Sequence, residues 1–204
     1  MYKVFFDNRT ICFVDDFDKF YKKNNGLFVK YINEIQLAYI LELFKSVDEI
    51  NNVFIVHHNV DEIFRVFKSY CRMLEAAGGL VHNSDDEILI IKRRGLWDLP
   101  KGKLEENEDP TIGALREVKE ECNVHQLQIR DLIHVTYHAY IQDGILLLKK
   151  TYWYDMIHYG DGKVKPQTDE DITEVKWFRK DDLDKVVDNT YLSIVEVLQE
   201  ANLL

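Results

Sequence analysis

The 204-residue sequence predicts an α/β (α+β) protein built in two parts, and three observations lead there. Apolar runs of strand length alternate with stretches whose apolar residues recur at helical spacing. Two long strand-like runs, "LIHVTYHAYIQ" and "ILLLKKTYWYDMIHY", are separated by Asp143-Gly144, a dipeptide suited to a hairpin turn. The charge is uneven: residues 1–76 hold 10 basic and 11 acidic side chains, whereas residues 77–204 hold 16 and 25, so most of the net −10 belongs to the second part.

The first part reads as strand, turn and strand ("YKVFFDN", "TICFVDD"), a helix through "EIQLAYILELFKS", a buried strand "VFIVHH" and a second helix "VDEIFRVFKSYCRMLEA". "AAGG" at 76–79 is expected to end that helix, because Gly is favoured just past a helix C-terminus. The boundary is therefore placed there, giving an N-terminal α/β domain over 1–76 and a second domain over 77–204. No constellation in 1–76 carries chemistry. His57 and His58 are adjacent on the expected strand and should point to opposite faces, as one core and one surface histidine rather than a metal or phosphate site. The unit is a candidate for dimerisation or partner binding, so a homodimer is compatible with the sequence.

Beyond the boundary come strands at "GLVHN" and "EILIIKRR", the stretch "LPKGKLEENEDPTIGALREVKEECNV", the two long runs, a strand at "EVKWF", and one or two helices from Asp181 onward. A hydrophobic content of 46% supports a sizeable core. The start lacks a basic leader followed by an apolar run, and no stretch approaches the roughly 18 apolar residues that span a bilayer. A soluble, cytoplasmic protein with no membrane partner is expected. Cys12, Cys71 and Cys122 are too few and too widely spaced for a disulfide framework or a zinc knuckle. The negative charge argues against nucleic acid as a partner.

The helix after Leu99 has a defined start, with Asp109 as its cap and Pro110 at the first helical position. At about 100° per residue, Glu117, Glu120 and Glu121 share a face roughly 100° wide, while Leu115, Val118 and Cys122 fall on the opposite, sheet-packing face. Gly113 and Ala114, one turn upstream of the carboxylates, leave room for an overlying loop. A solvated acidic face is the ordinary reading of such a run. Against it, like charges at i, i+3 and i+4 destabilise a helix by roughly 0.2–0.5 kcal/mol per pair, and anions near a helix C-terminus oppose its dipole. A hard divalent cation, Mg²⁺ or Mn²⁺, would reverse that penalty.

Gly102, Glu108, Arg116, Glu117, Val118, Glu120 and Glu121 stand as Gly, five residues, Glu, seven residues, then Arg-Glu-Val-Lys-Glu-Glu. This pattern resembles the Nudix box, the signature of hydrolases that cleave a nucleoside diphosphate linked to another group. "LWDLPKGK", "EILIIKRRG" and "TEVKWF" are similar to the family's flanking segments, and the resemblance covers about residues 77–190. Asn123 stands where the family has Gly; Asn is the next residue best able to take the left-handed conformation, so the turn should survive.

The resemblance implies a Nudix-type mixed β-sheet sandwiched between helices, preceded by the small N-terminal domain, and Mg²⁺-dependent hydrolysis of a phosphoric anhydride in a small nucleotide substrate. It implies metal ligation by Glu117, Glu120, Glu121 and the carbonyl of Gly102, with Arg116 orienting Glu117 and the loop through Glu108. The general base is open among Glu117, Glu121 and, in the later loop, Glu170. Arg93, Arg94, Lys101 and Lys103 are candidate phosphate contacts, though strand alternation lets only one of Arg93 and Arg94 face a cleft. Tyr137, Tyr140, Trp153 and Tyr154 could stack on a base. Tyr140 is similar in placement to the downstream tyrosine of diadenosine polyphosphate hydrolases. Trp97 is expected to pack. Dinucleoside polyphosphates, ADP-ribose, nucleoside triphosphates and diphosphoinositol polyphosphates stay open as substrates. A non-catalytic nucleotide-sensing module is the alternative to an enzyme.

Overall fold

The structure is a computed structural model that describes residues 1–204. In chain order the strands are β1 (Tyr2–Phe6), β2 (Arg9–Val14), β3 (Leu27–Lys30), β4 (Asn52–Val56), β5 (Arg72–His82), β6 (Ile88–Arg93), β7 (Leu96–Asp98), β8 (Lys101–Lys103), β9 (Leu127–Gln142), β10 (Ile145–His158) and β11 (Ile172–Phe178). The helices are α1 (Phe17–Tyr21), α2 (Glu34–Ser46), α3 (Val60–Ser69), α4 (Pro110–Cys122), α5 (Asp184–Val187) and α6 (Leu192–Glu200). No helix is long and apolar enough to cross a membrane.

Two compact units emerge, Met1–Met73 with Tyr137–Lys149, and Leu74–Thr136 with Lys150–Leu204. In the first, the strand order is β9-β1-β2-β4-β3. Strands β2, β4 and β3 are mutually parallel, β1 pairs antiparallel with β2, and the tip of β9 joins parallel to β1 through Val4↔Tyr137 and Phe5↔His138. Alternation sorts the side chains: Ile11, Phe13, Val53 and Ile55 face α2 and α3, while Cys12, Val14 and Phe54 face Phe20 and Phe28 on the other side. The tip of the β9–β10 hairpin contributes Ala139 and Leu148 to the larger of these cores. The turn at its end is made by Asp143 and Gly144, both at positive φ (52° and 75°), as the dipeptide predicts.

In the second unit the order is β11-β6-β5-β10-β9, with β7 on β6 and β8 on β5. Leu89 and Ile91 turn to α4, and Ile88 and Ile90 turn to α5 and α6, so helices cover both faces. This is the α/β sheet-and-helix sandwich the sequence predicts.

Four local expectations need correction. The second N-terminal helix stops at Ser69, and "AAGG" lies within β5 instead of ending a helix. A Cβ on Gly78 would stand 2.3 Å from the Pro100 carbonyl oxygen, and one on Gly79 would meet Met156 Sδ at 2.6 Å, so these glycines serve close approach in a sheet. The single cut at residue 76 is replaced by the interleaved units above, because β1 captures the hairpin tip. His57 and His58 lie beyond the end of β4, on the turn that Asn59 closes by capping α3, and their rings sit side by side with centroids 4.1 Å apart instead of on opposite faces.

Candidate active site on α4

The carboxylate helix begins as its sequence dictates: the Asp109 side chain accepts from the Thr111 N–H at 2.8 Å, and Pro110 follows. It ends at Asn123, left-handed at φ 54° and ψ 33°, whose N–H donates to the Lys119 carbonyl. The loop before it lies over the small residues of α4. A Cβ on Gly113 would meet Leu104 Cδ2 at 2.3 Å and Glu108 Oε2 at 2.9 Å, so a larger residue would have to displace those side chains of the loop.

Arg116 is the hub. Its Nε and Nη2 donate to the two Glu108 oxygens at 2.9 and 2.8 Å, and Nη2 also donates to the Lys103 carbonyl at 3.0 Å. Its Nη1 donates to Glu117 Oε1 at 2.8 Å and to Glu120 Oε2 at 3.1 Å. The hydrogen bonds from Arg116 pull the Glu108 carboxyl down to about 2. One guanidinium thus fixes the loop and two carboxylates of the helix. Burial pushes the Glu117 carboxyl up, against the opposing pull of Arg116.

Glu121 is fully buried. Its Oε2 accepts from the Lys101 backbone N–H at 2.8 Å, while Oε1 has no hydrogen-bond partner and only Arg93 Nη1 approaches it, at 3.5 Å. Burial pushes its carboxyl up to about 7, against the pull of Lys101 and Arg93. Arg93 also reaches Glu170 Oε2 at 3.2 Å and so bridges two acids that lie 49 positions apart in sequence. Glu170 closes a 3-10 turn whose approach is strapped to the end of α4: Lys165 N–H donates to the Cys122 carbonyl and Gln167 N–H to the Glu121 carbonyl.

Gly102 lies in the middle of β8. A Cβ there would fall 1.9 Å from Glu117 Oε2, so only glycine lets the Glu117 carboxylate lie against that backbone. The residues fit a hard cation in three respects: Glu121 keeps an orphaned buried oxygen, Glu117 is pressed against Gly102, and the donor set is all oxygen. The three helix carboxylates are nevertheless not gathered on one point; Glu117 and Glu120 turn to Arg116, and Glu121 to Lys101 and Arg93.

Several proposed substrate contacts are placed differently from the sequence expectation. The Lys101 ammonium is held by the buried Asp98 at 2.6 Å, and the attraction of Asp98 and Glu121 outweighs burial to keep it charged, so its charge is already paired with an interior acid. Asp98 was missed in the sequence; its position three residues before Lys101 was the available signal. Arg94 does not share a strand with Arg93: it sits on the following turn at φ 53° and pairs with Asp171 at 3.0 Å. Lys103 has an exposed side chain and gives its carbonyl to Arg116. Tyr140 belongs to the first unit, with His138 as its ring neighbour. Trp153 is buried with its indole N–H on Thr136, and Tyr154 is buried beside α4 residues, so both are core. Trp97 packs edge-to-face on Phe178, as expected.

The chain is similar to known proteins over part of its length. The m7GpppN-mRNA hydrolase dcap-2 of Caenorhabditis elegans is 27% identical over 131 residues, 62% of this chain and 16% of that protein. Nudix hydrolase 8 of Arabidopsis thaliana is 43% identical over 54 residues, 23% of this chain and 15% of the relative. The chain therefore spans less than a fifth of the length of either relative. Among solved structures, the C. elegans Ap4A hydrolase binary complex matches with a TM-score of 0.51 and 23% identity over 63% of this chain and 95% of that one. The NUDIX domain of Shewanella oneidensis NrtR, crystallised with ADP ribose, matches at 0.51 and 18% over 66% and 90%. At these identities the structural matches establish the fold. The NUDIX domain family model covers residues 73–198, the same span that holds the Arg116 hub and its carboxylates, and the chain accordingly belongs to the Nudix family.

Proposed function

We propose that the protein is a divalent-metal-dependent pyrophosphohydrolase that cleaves a phosphoric anhydride in a nucleoside diphosphate joined to another group, with dinucleoside polyphosphates the first substrates to test. The observation that supports this most is the Arg116 hub, which holds Glu108, Glu117 and Glu120 in one hydrogen-bonded set beside the buried Glu121. A sensing module that had abandoned catalysis would have no need to retain a costly burial of two glutamates.

Glu117, Glu120, Glu121 and the Gly102 carbonyl are the groups that would hold Mg²⁺ or Mn²⁺. When bound, the metal would neutralise phosphate charge and lower the pKa of a water. The chain's own residues do the rest. Arg116 keeps Glu117 and Glu120 oriented. The Lys101 N–H holds one oxygen of Glu121 and leaves the other available. Arg93 presents a cation at the mouth of the set and carries Glu170, which is partly exposed and able to accept a proton from water. Lys103 at the end of β8 and Arg94 on the turn after β6 are solvent-exposed cations and would meet a polyphosphate chain.

The test is incubation with Mg²⁺ and a panel of dinucleoside polyphosphates, ADP-ribose, nucleoside triphosphates and diphosphoinositol polyphosphates. Release of nucleoside phosphate or inorganic phosphate from one of them supports the reading. Tight binding of one with no turnover of any would replace it with the sensing module.

A further inference from the structure

The first unit carries a feature that the Nudix domain does not explain. Its three parallel strands end flush, since the register places Val14, Val56 and Lys30 in one row at the carboxyl ends of β2, β4 and β3. The connection from β2 runs through α1 outward to the edge strand β3, whereas β4 leads into α3, whose Phe64 and Phe67 pack on the opposite face of the sheet. Open α/β sheets take their ligands outside the carboxyl ends of the strands, at such a change of direction. A cavity of about 510 Å³ lies there, lined by Phe17, Phe28, Lys30, Val56, His57 and His58. That volume falls in the usual range for small-molecule sites, roughly 300–1,000 Å³.

We propose that this cavity binds a flat aromatic anion of the nucleoside monophosphate class. Its wall is a run of rings: Phe28 stacks on Phe54 at 4.4 Å and takes Phe17 edge-on at 5.5 Å, while Phe17, 46% exposed, is itself stacked on Tyr21 at 5.0 Å. Exposed aromatic faces in a concave site accept a planar ring, with each stacked contact worth about 1–3 kcal/mol in nucleic-acid-binding proteins. The polar side chains are one lysine and two imidazoles. The exposed Lys30 ends β3 without an ion-pair partner. His57 uses Nδ1 on Asn59, which leaves Nε2 for a ligand, and His58 is exposed beside it. No carboxylate lines this cavity; Asp15 and Asp61 line an adjoining cleft that shares only His58 with it. An anionic group is therefore drawn to the Lys30 side and repelled from the other. The α1 helix that covers this face of the sheet is only five residues long.

This proposal rests on no step of the hydrolase reading. It is tested on the full chain in metal-free buffer with a chelator, by following backbone amide resonances while titrating AMP, adenosine or inorganic phosphate. The expected result is saturable shifts at Phe17, Phe28, Lys30, His57 and His58, with AMP binding at least about tenfold more tightly than adenosine or phosphate alone. Lys30→Ala and Phe17→Ala should each weaken AMP binding by about tenfold while leaving any Mg²⁺-dependent hydrolysis unchanged. Both side chains are surface-exposed, so the variants should fold. The proposal is overturned if those amides do not shift up to millimolar AMP, if adenosine binds as well as AMP, or if both variants bind like the parent. It is equally overturned if Zn²⁺ alone saturates the His57 and His58 signals and prevents AMP binding.

Discussion

Replacing Arg116 by Ala removes five hydrogen bonds at once, and the structure allows their loss to be weighed. The bidentate pair with Glu108 and the bond to Glu117 matter most, because those two carboxylate side chains are only 10% and 8% exposed and would lose their cationic partner, Glu108 keeping only the Glu105 N–H. Removing one member of a buried ion pair costs about 3–5 kcal/mol. Arg116 itself is 25% exposed, so water relieves part of that and the lower end applies. The contact with the half-exposed Glu120 adds only the surface value, about 0.5 kcal/mol. The sum is a loss of about 3.5 kcal/mol. With a urea m-value of about 2–3 kcal/mol per M, the unfolding midpoint of the second unit should fall by about 1.2–1.8 M. Arg116→Lys keeps the charge but cannot fork between Glu108 and Glu117, and should lose about half as much. The assay is urea unfolding followed by tryptophan fluorescence, since Trp97, Trp153 and Trp177 all lie in this unit. A shift below about 0.3 M for the Ala variant would show that the hub does not hold the site together, and the account of how Glu117 is oriented would fail.

Gly102→Ala should drive the Glu117 carboxylate off β8 and weaken Mg²⁺ binding by about 10–100-fold, measured by calorimetry; unchanged affinity would remove the Gly102–Glu117 contact from the metal site. Glu120→Gln should lower turnover by about a hundredfold or more with an unchanged circular dichroism spectrum, and near-normal turnover would remove Glu120 from the machinery. Asn123→Ala should cost about 1–2 kcal/mol at the left-handed position while Asn123→Gly stays within about 0.5 kcal/mol of the parent, read by thermal unfolding. Because Arg116 lowers the Glu108 carboxyl in the folded state to about 2, its stabilising contribution is present above the unfolded value, about 4.3, and is lost as pH falls through about 2. Glu108→Gln should therefore flatten the dependence of stability on pH across that acid window, and an unaltered slope would refute the pairing.

What could be read from the sequence was local. Helix α2 appears over the residues its periodicity predicts, Glu34–Ser46, and α4 with its Asp109 cap, Pro110 start and Asn123 stop. The partnership of Glu108 with Arg116 follows from spacing on a known motif. What escaped was decided by partners distant in the chain. "RMLEA" has the composition of a helix, yet strand pairing of Ala76 with Lys103 and Ala77 with Gly102 overrides that propensity. Lys101 looks like a phosphate contact by its position in a basic loop, and only folding shows Asp98 taking its ammonium while its backbone N–H serves Glu121. The short elements α1, β3, β7 and β8 offer too few residues for a period to show.

The capture of the β9–β10 tip by β1 bears on how the chain can be divided. A cut near residue 74 would leave Tyr137 and His138 without their strand partner and bare Ala139 and Leu148, which the first unit keeps buried. A shortened chain beginning there should be prone to aggregate through that uncovered edge. Simple end-to-end joining of two finished domains would not produce this arrangement: the first unit takes its chain from two separate stretches, Met1–Met73 and Tyr137–Lys149.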